Sequence, residues 1–240
     1  MKFVRTEDLK AGMRLAKPIY NKKGVLLYER NSALTAPGIA SAKNFGLIGV
    51  YVLEPAEPLP PMTQEDLEFE RFQIKAVSAI EEELDRILKT RKQSRIQTIA
   101  DMVIRNYGHL DEKINFYQNL RSLEDYVSRH SLNVAILCAM ITHVMNIRRE
   151  EQYHTVCAAL LHDMGKLKKH EDVYFGAPYS REDAIRNCET QEEAYSVIEE
   201  AFATEGPAIR RICQQAAGKQ LDLFPEEGKE SRYKMLEGSN

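Results

Sequence analysis

"YVSRHSLNVAILCAMITHVM", residues 126–145, decides the fold of the larger part of the chain. His130, Val134, Leu137, Ile141 and Val144 follow one another at spacings of four, three, four and three, the period of one face of an α-helix. Apolar neighbours on that stripe place His130 toward the core side and away from bulk water. The same period recurs upstream in Val77, Ile80, Leu84 and Ile87, and again in Ile96, Ile99 and Val103, while strand signals almost vanish. Downstream, a helix from roughly Glu150 to Met164 carries Ala158 and Ala159 beneath His162, with Gly165 as its natural end. Small residues there let another helix approach closely. Everything from residue 64 onward therefore reads as all-helical.

The preceding residues read differently. Four of the nine prolines fall between Pro55 and Pro61 in "EPAEPLPP", which neither continues a helix nor sits inside a sheet. Ahead of it, "MRLAKPIY" and "GVLLYER" are strand-like runs separated by "NKKG", a hairpin turn, and "LIGVYVLE" is a third strand. Between them, "TAPGIASAKNFG" predicts a short helix opened by Thr35 and closed by Gly46. The fold class is α+β: a small β-rich N-terminal domain over 1–54, a Pro-rich linker over 55–63, and a helical domain over 64–240. So small a front domain is marginal alone, and packing on the rest of the chain or on a partner copy is expected.

Composition narrows the function classes. With 240 residues, 43% of them hydrophobic, the chain can bury a substantial core. Its 33 basic and 36 acidic side chains leave a formal charge of -3 without a long block of one sign, so neither a nucleic-acid polymer nor a membrane surface is an expected partner. No apolar run of about 18 residues stands anywhere, and "MKFVRTEDLKAGM" has no signal-peptide core, which predicts a cytoplasmic protein. Cys138, Cys157, Cys188 and Cys213 are scattered without a C-x-x-C pair and read as reduced core thiols.

Chemistry concentrates in "CAALLHDMGKLKK", residues 157–169. One histidine on an apolar face is ordinarily a satisfied core residue, and His109, His143 and His154 are read that way. An aspartate adjoining a histidine inside an apolar stretch is costly to bury unless its charge is compensated, which a metal ion does well. Imidazole and carboxylate suit zinc, iron or manganese, and a water on such an ion is acidic enough to attack a phosphoester near neutral pH. Lys166, just after the expected helix end, could meet a phosphate oxygen or orient the carboxylate. His170 is an alternative donor amid Lys168, Lys169 and Glu171. Arg129, Arg148, Arg149, Lys168 and Lys169 form a basic rim, but Glu150, Glu151, Glu171 and Asp172 interleave with it, and a solvated surface is the preferred reading.

"HSLNVAILCAMIT" followed by "AALLHDMGKL" resembles the HD superfamily of metal-dependent phosphohydrolases, and within it the HD-GYP group, which hydrolyses the second messenger cyclic di-GMP. The likeness runs over roughly residues 64–185 and more loosely to the end. Asp125 and Tyr126 match that group's "DY" opening, and "LKAGMRLAKPIYNKKGVLLYERNSALT" with "GVYV" is similar to the domain often found ahead of it. The resemblance implies that His130, His162 and Asp163 are metal ligands, Asp163 bridging two ions, with Asp163 and Lys166 catalytic and the lysine near the scissile phosphate. It carries no further. Gly176 stands near the expected loop lysine, Asn187 or Cys188 near the expected helix histidine, and Gln214-Gln215 near an expected histidine pair; the "GYP" loop is absent, and the final aspartate either lies beyond Asn240 or has been lost.

Three side chains cannot complete two coordination shells, so the expected cofactor is one divalent ion or none, with Asp172 or Glu189 as further candidate donors. Two functions follow. The first is a bacterial signalling protein with a degenerate HD-GYP-like domain and a partial metal site, binding cyclic di-GMP or another signalling protein with impaired catalysis. The alternative is an active metal-dependent cyclic di-GMP phosphodiesterase. The long helix around "TQEDLEFERFQIKAVSAIEEELDRILKTRKQ" reads either as a homodimer seam or as packing within its own domain.

Overall fold

The computed structural model describes residues 1–21, 25–59, 61, 63–110, 126–168 and 180–222. They fall into two compact units, Met1–Glu81 with Glu112–Asn133, and Glu82–Asp111 with Val134–Asn240. The architecture is α+β, short strands followed by helices.

In the first unit, β1 (Lys2–Arg5), β2 (Arg14–Leu15), β3 (Ile19–Tyr20), β4 (Leu26–Tyr28) and β5 (Gly49–Leu53) surround α1 (Ala36–Asn44). A three-stranded antiparallel sheet has the order β1-β5-β2, and β3 pairs with β4, setting Ile19 opposite Tyr28. Leu15, Ile19, Leu34, Leu47, Val50 and Val52 make its core. The expected helix begins where Thr35 caps it, Oγ1 accepting the Gly38 N–H at 3.2 Å, and is followed by Gly46 at φ 70, a conformation that favours glycine. Strand β1 was not anticipated. Only Val4 of its four residues is even half-buried, so no hydrophobic alternation marks it as an edge strand. Residues 22–24 of the expected hairpin turn lie outside the described residues.

The long helix α2 (Gln64–Thr90) opens on a reciprocal cap: Thr63 Oγ1 accepts the Asp66 N–H at 3.1 Å, and Asp66 Oδ2 accepts the Thr63 N–H at 2.9 Å. Val77, Ile80, Leu84 and Ile87 are buried, as their spacing predicts. Within the first unit Lys17 and Glu70 form a shielded ion pair at 3.0 Å.

The second unit contains α3 (Ile96–Tyr107), α5 (Arg149–Leu161), a 3-10 turn over Met164–Lys168, α6 (Arg181–Tyr195), α7 (Ile198–Phe202) and α8 (Gly206–Asp222). Helix α4 (Tyr126–Val144), like α2, contributes residues to both units. The turn into α3 is held by Glu83, whose carboxylate accepts the backbone N–H groups of Ser94 and Arg95 and the Ser94 hydroxyl.

Two sequence expectations need correction here. On α4, the stripe His130, Val134, Leu137, Ile141, Val144 is not the core face: Leu137, Ile141 and Val144 are exposed, and Val127, Leu132, Ala135, Ile136 and Ala139 are buried instead. This helix is apolar nearly all round, so periodicity could not choose between its faces. Helix α5 ends at Leu161, ahead of the expected Met164, and Gly165 sits within the following 3-10 turn without positive φ. Its lack of a side chain serves proximity to α6. A Cβ there would meet Gln191 Oε1 at 2.5 Å and the Thr190 carbonyl at 2.8 Å.

Candidate metal centre

The centre is built on the turn that leaves α5. Its last helical residues are buried, and Ala158 lets α8 come close enough for the Cys213 thiol to donate to its carbonyl at 3.6 Å. That tight packing bears out the reading of the small residues. Burial pushes the Cys157 thiol up to about 12 and the Cys213 thiol higher, so both remain protonated core groups.

At the end of α5, His162 Nδ1 lies 2.8 Å from the Ala159 carbonyl. A carbonyl oxygen only accepts, so Nδ1 carries a hydrogen, the arrangement that makes Nε2 the metal-ligating atom of a neutral imidazole. That Nε2 lies 3.6 Å from Asp163 Oδ2. The Lys166 ammonium lies on the same oxygen, 2.6 Å away.

Asp163 is almost completely buried, at 2% exposure, and its two carboxylate oxygens have different partners. Lys166 Nζ donates to Oδ2 at 2.6 Å, and Gln191 Nε2 donates to Oδ1 at 3.2 Å. The lysine is brought round by the 3-10 turn, where its own N–H donates to the Asp163 carbonyl at 3.0 Å. Gln191 Oε1 accepts the Gly165 N–H at 2.8 Å, fixing which end of that amide faces the aspartate. One turn further along α6, the Tyr195 hydroxyl donates to the His162 carbonyl. Burial, before any neighbouring charge, holds the Tyr195 phenol far above its ordinary range. Helix α6 is itself anchored by a capping box between Ser180 and Asp183.

One ligand atom each from His130, His162 and Asp163 lies within 4.8 Å of the other two, the sole grouping of three or more metal-binding side chains among the described residues. Tyr126, one turn before His130, stacks on its ring with centroids 6.0 Å apart. Two imidazoles and one carboxylate, with the His162 tautomer set by a carbonyl, fit a divalent ion of the zinc, iron or manganese kind.

The sequence therefore named three side chains that the fold brings together, and Lys166 adjoins them through Asp163. Glu189 is exposed and outside the group. Asn187 and Cys188 lie half-buried on α6, and Gln214 donates to Glu192 at 2.7 Å. Asp125, His170, Asp172 and Gly176 lie outside the described residues. In the basic rim, Arg148 is exposed and paired with Glu151 at 2.6 Å, in keeping with a solvated surface. Sequence reasoning missed Gln191 and Tyr195. Their one signal was a spacing of four on α6, which an amphipathic helix gives without a site.

Among the described residues no helix is long and apolar enough to cross a membrane. No curated protein and no solved structure matches the chain. The family comparison does find a match: residues 127–229 are similar to the HD domain, and that segment contains His130, His162 and Asp163.

Proposed function

We propose that this HD domain is a degenerate, HD-GYP-like signalling module that holds one divalent ion and binds cyclic di-GMP, or another signalling protein, with impaired hydrolysis. The observation that carries the reading is the ligand set itself: His130, His162 and Asp163 converge, and no fourth metal-binding side chain joins them among the described residues. Asn187, Cys188 and Gln214, where the resemblance expects histidines, support the loss of a complete two-ion centre. When bound, the ion supplies Lewis acidity toward a phosphate oxygen and lowers the pKa of water. The chain's own part is to hold Asp163 and His162 in fixed orientation and to present the Lys166 ammonium beside them, a donor suited to a phosphate oxygen.

The active phosphodiesterase is the second reading, and Lys166 within 2.6 Å of Asp163 is the observation in its favour. Metal content and cyclic di-GMP hydrolysis, measured on the protein and on Asp163→Asn, separate the two. The degenerate module retains metal in the wild type, loses it in the variant, and turns over cyclic di-GMP negligibly. Multiple turnovers that disappear in Asp163→Asn would establish the enzyme. Equal metal-free behaviour of both proteins would remove the metal reading.

A further inference from the structure

We infer that the outward face of α4 is an interface for a second copy of this chain, the two α4 helices packing antiparallel along Val134, Leu137, Ile141 and Val144. Leu137, Ile141 and Val144 are 43%, 54% and 68% exposed, Met145 beside them is 64% exposed, and Val134 is half-buried. The opposite face of the same helix is already committed to the core, where Leu132, Ala135, Ile136 and Ala139 are buried. Single exposed apolar side chains are ordinary on any protein. Several that adjoin along one helix face make a patch of the kind that marks an interaction site.

Spacing and charge say what covers this face. The four residues follow one another at intervals of three, four and three, the seam by which one helix takes another. Those intervals read the same in both directions. Turned end for end about a two-fold axis, a second α4 sets Val134 opposite the partner's Val144 and Leu137 opposite the partner's Ile141, and each pair recurs in reverse, as an isologous interface requires. From Ser131 to Ile147 there is no Asp, Glu, Lys or Arg. A neutral stripe suits self-association, because a symmetric interface brings groups near their own images, whereas complementary charge is what steers a different partner. Arg148 and Arg149 stand exposed just past one end. A parallel pair would crowd these arginines of both copies together, while the antiparallel pair sets them at opposite ends of a seam about 15 Å long.

The long helix α2, whose sequence also reads as a seam, offers no such face: Val77, Ile80, Leu84 and Ile87 are buried within one chain. On α4 the partly exposed aliphatic side chains supply less than the about 800 Å² per partner of a standard interface. The dimer is therefore reversible, forming as the chain is concentrated.

The test is sedimentation velocity on the full chain from about 1 μM to about 1 mM, with Ile141→Glu and the milder Ile141→Gln beside it and circular dichroism as the check on folding. The wild type is expected to pass from monomer to dimer across that range. Ile141→Glu sets a charge into the seam of both copies and is expected to weaken association at least about tenfold while the chain stays folded. In a Cys138→Ser background, Val134→Cys and Val144→Cys proteins, mixed and mildly oxidised, should join to each other faster than either joins to itself. A wild type that is monomeric throughout, its face open or covered by some other protein, would overturn the inference, as would a folded Ile141→Glu that dimerises as tightly as the wild type. Faster joining of each cysteine protein to itself would overturn the antiparallel arrangement. If Ile141→Glu is unfolded, Ile141→Gln decides in its place.

Discussion

Replacing Gly165 by alanine probes the contact on which the candidate centre is assembled. The added Cβ would stand 2.5 Å from Gln191 Oε1, 2.8 Å from the Thr190 carbonyl and 3.0 Å from the Gln191 Cα, and two of these three atoms are backbone. The side chain of Gln191 could give way, but the backbone of α6 would have to retreat as a body. Overpacking of this kind costs about 1–3 kcal/mol. Lengthening the Gly165 N–H to Gln191 hydrogen bond, now 2.8 Å, adds about 1 kcal/mol. Against this, alanine restricts the unfolded chain and returns about 0.4–1 kcal/mol. The net destabilisation is therefore about 2 kcal/mol, or a fall of about 4–8 °C in thermal midpoint for a protein of this size. Because retreat of α6 also withdraws Gln191 from Asp163, metal affinity should fall with stability. Calorimetry for the unfolding midpoint and Mn2+ titration for the affinity check both halves. A Gly165→Ala protein with wild-type midpoint and wild-type affinity would show that α6 does not press on the turn as described.

Elsewhere the fold offers two independent checks. Glu83 is 1% exposed and serves two backbone N–H groups and a hydroxyl at the start of α3, so Glu83→Ala should cost about 2–4 kcal/mol in urea unfolding, and Glu83→Gln, which keeps one acceptor, distinctly less. At Glu70, burial raises the carboxyl pKa, with Lys17 opposing the shift without cancelling it. The folded state therefore binds the proton more tightly than the unfolded state, and the Glu70 contribution to stability declines as pH rises from about 4.5 through the raised folded value. Midpoints of the wild type and Glu70→Gln measured across that window should show the wild type losing ground as pH rises; a constant difference between the two would contradict the assignment.

What the sequence made legible follows what periodicity can carry. The stripes on α2 and α3 have polar residues opposite them, so one face was marked for burial, and Ile80, Leu84, Ile87, Ile96 and Val103 are indeed inaccessible. On α4 no polar face exists to make the contrast. Ser128 and Ser131 are buried while Ile141 and Val144 are exposed, an inversion that hydrophobicity alone cannot foresee. Strand β1 escaped notice because an edge strand is made by its backbone pairing with β5, and its side chains remain largely in water. The candidate site was legible in its ligands because histidine and aspartate are chemically conspicuous. Its supports were not: a glutamine and a tyrosine on α6 acquire their roles only when the turn after α5 is folded against them.

That difference alters the argument for a metal. From the sequence, burying Asp163 seemed to demand an external cation. In the structure the chain provides its own compensation, an ammonium on Oδ2 and an amide on Oδ1, so the aspartate is tolerable in the fold without any ion. Burial of Asp163 is then no longer the evidence. What remains is the placing of His162 Nε2 toward the same oxygen that Lys166 holds, and of His130 within reach of both. Lys166 neutralises the carboxylate, and one ligand atom of each imidazole lies within 4.8 Å of it. An ion entering there would share Oδ2 with the ammonium, whose charge opposes it.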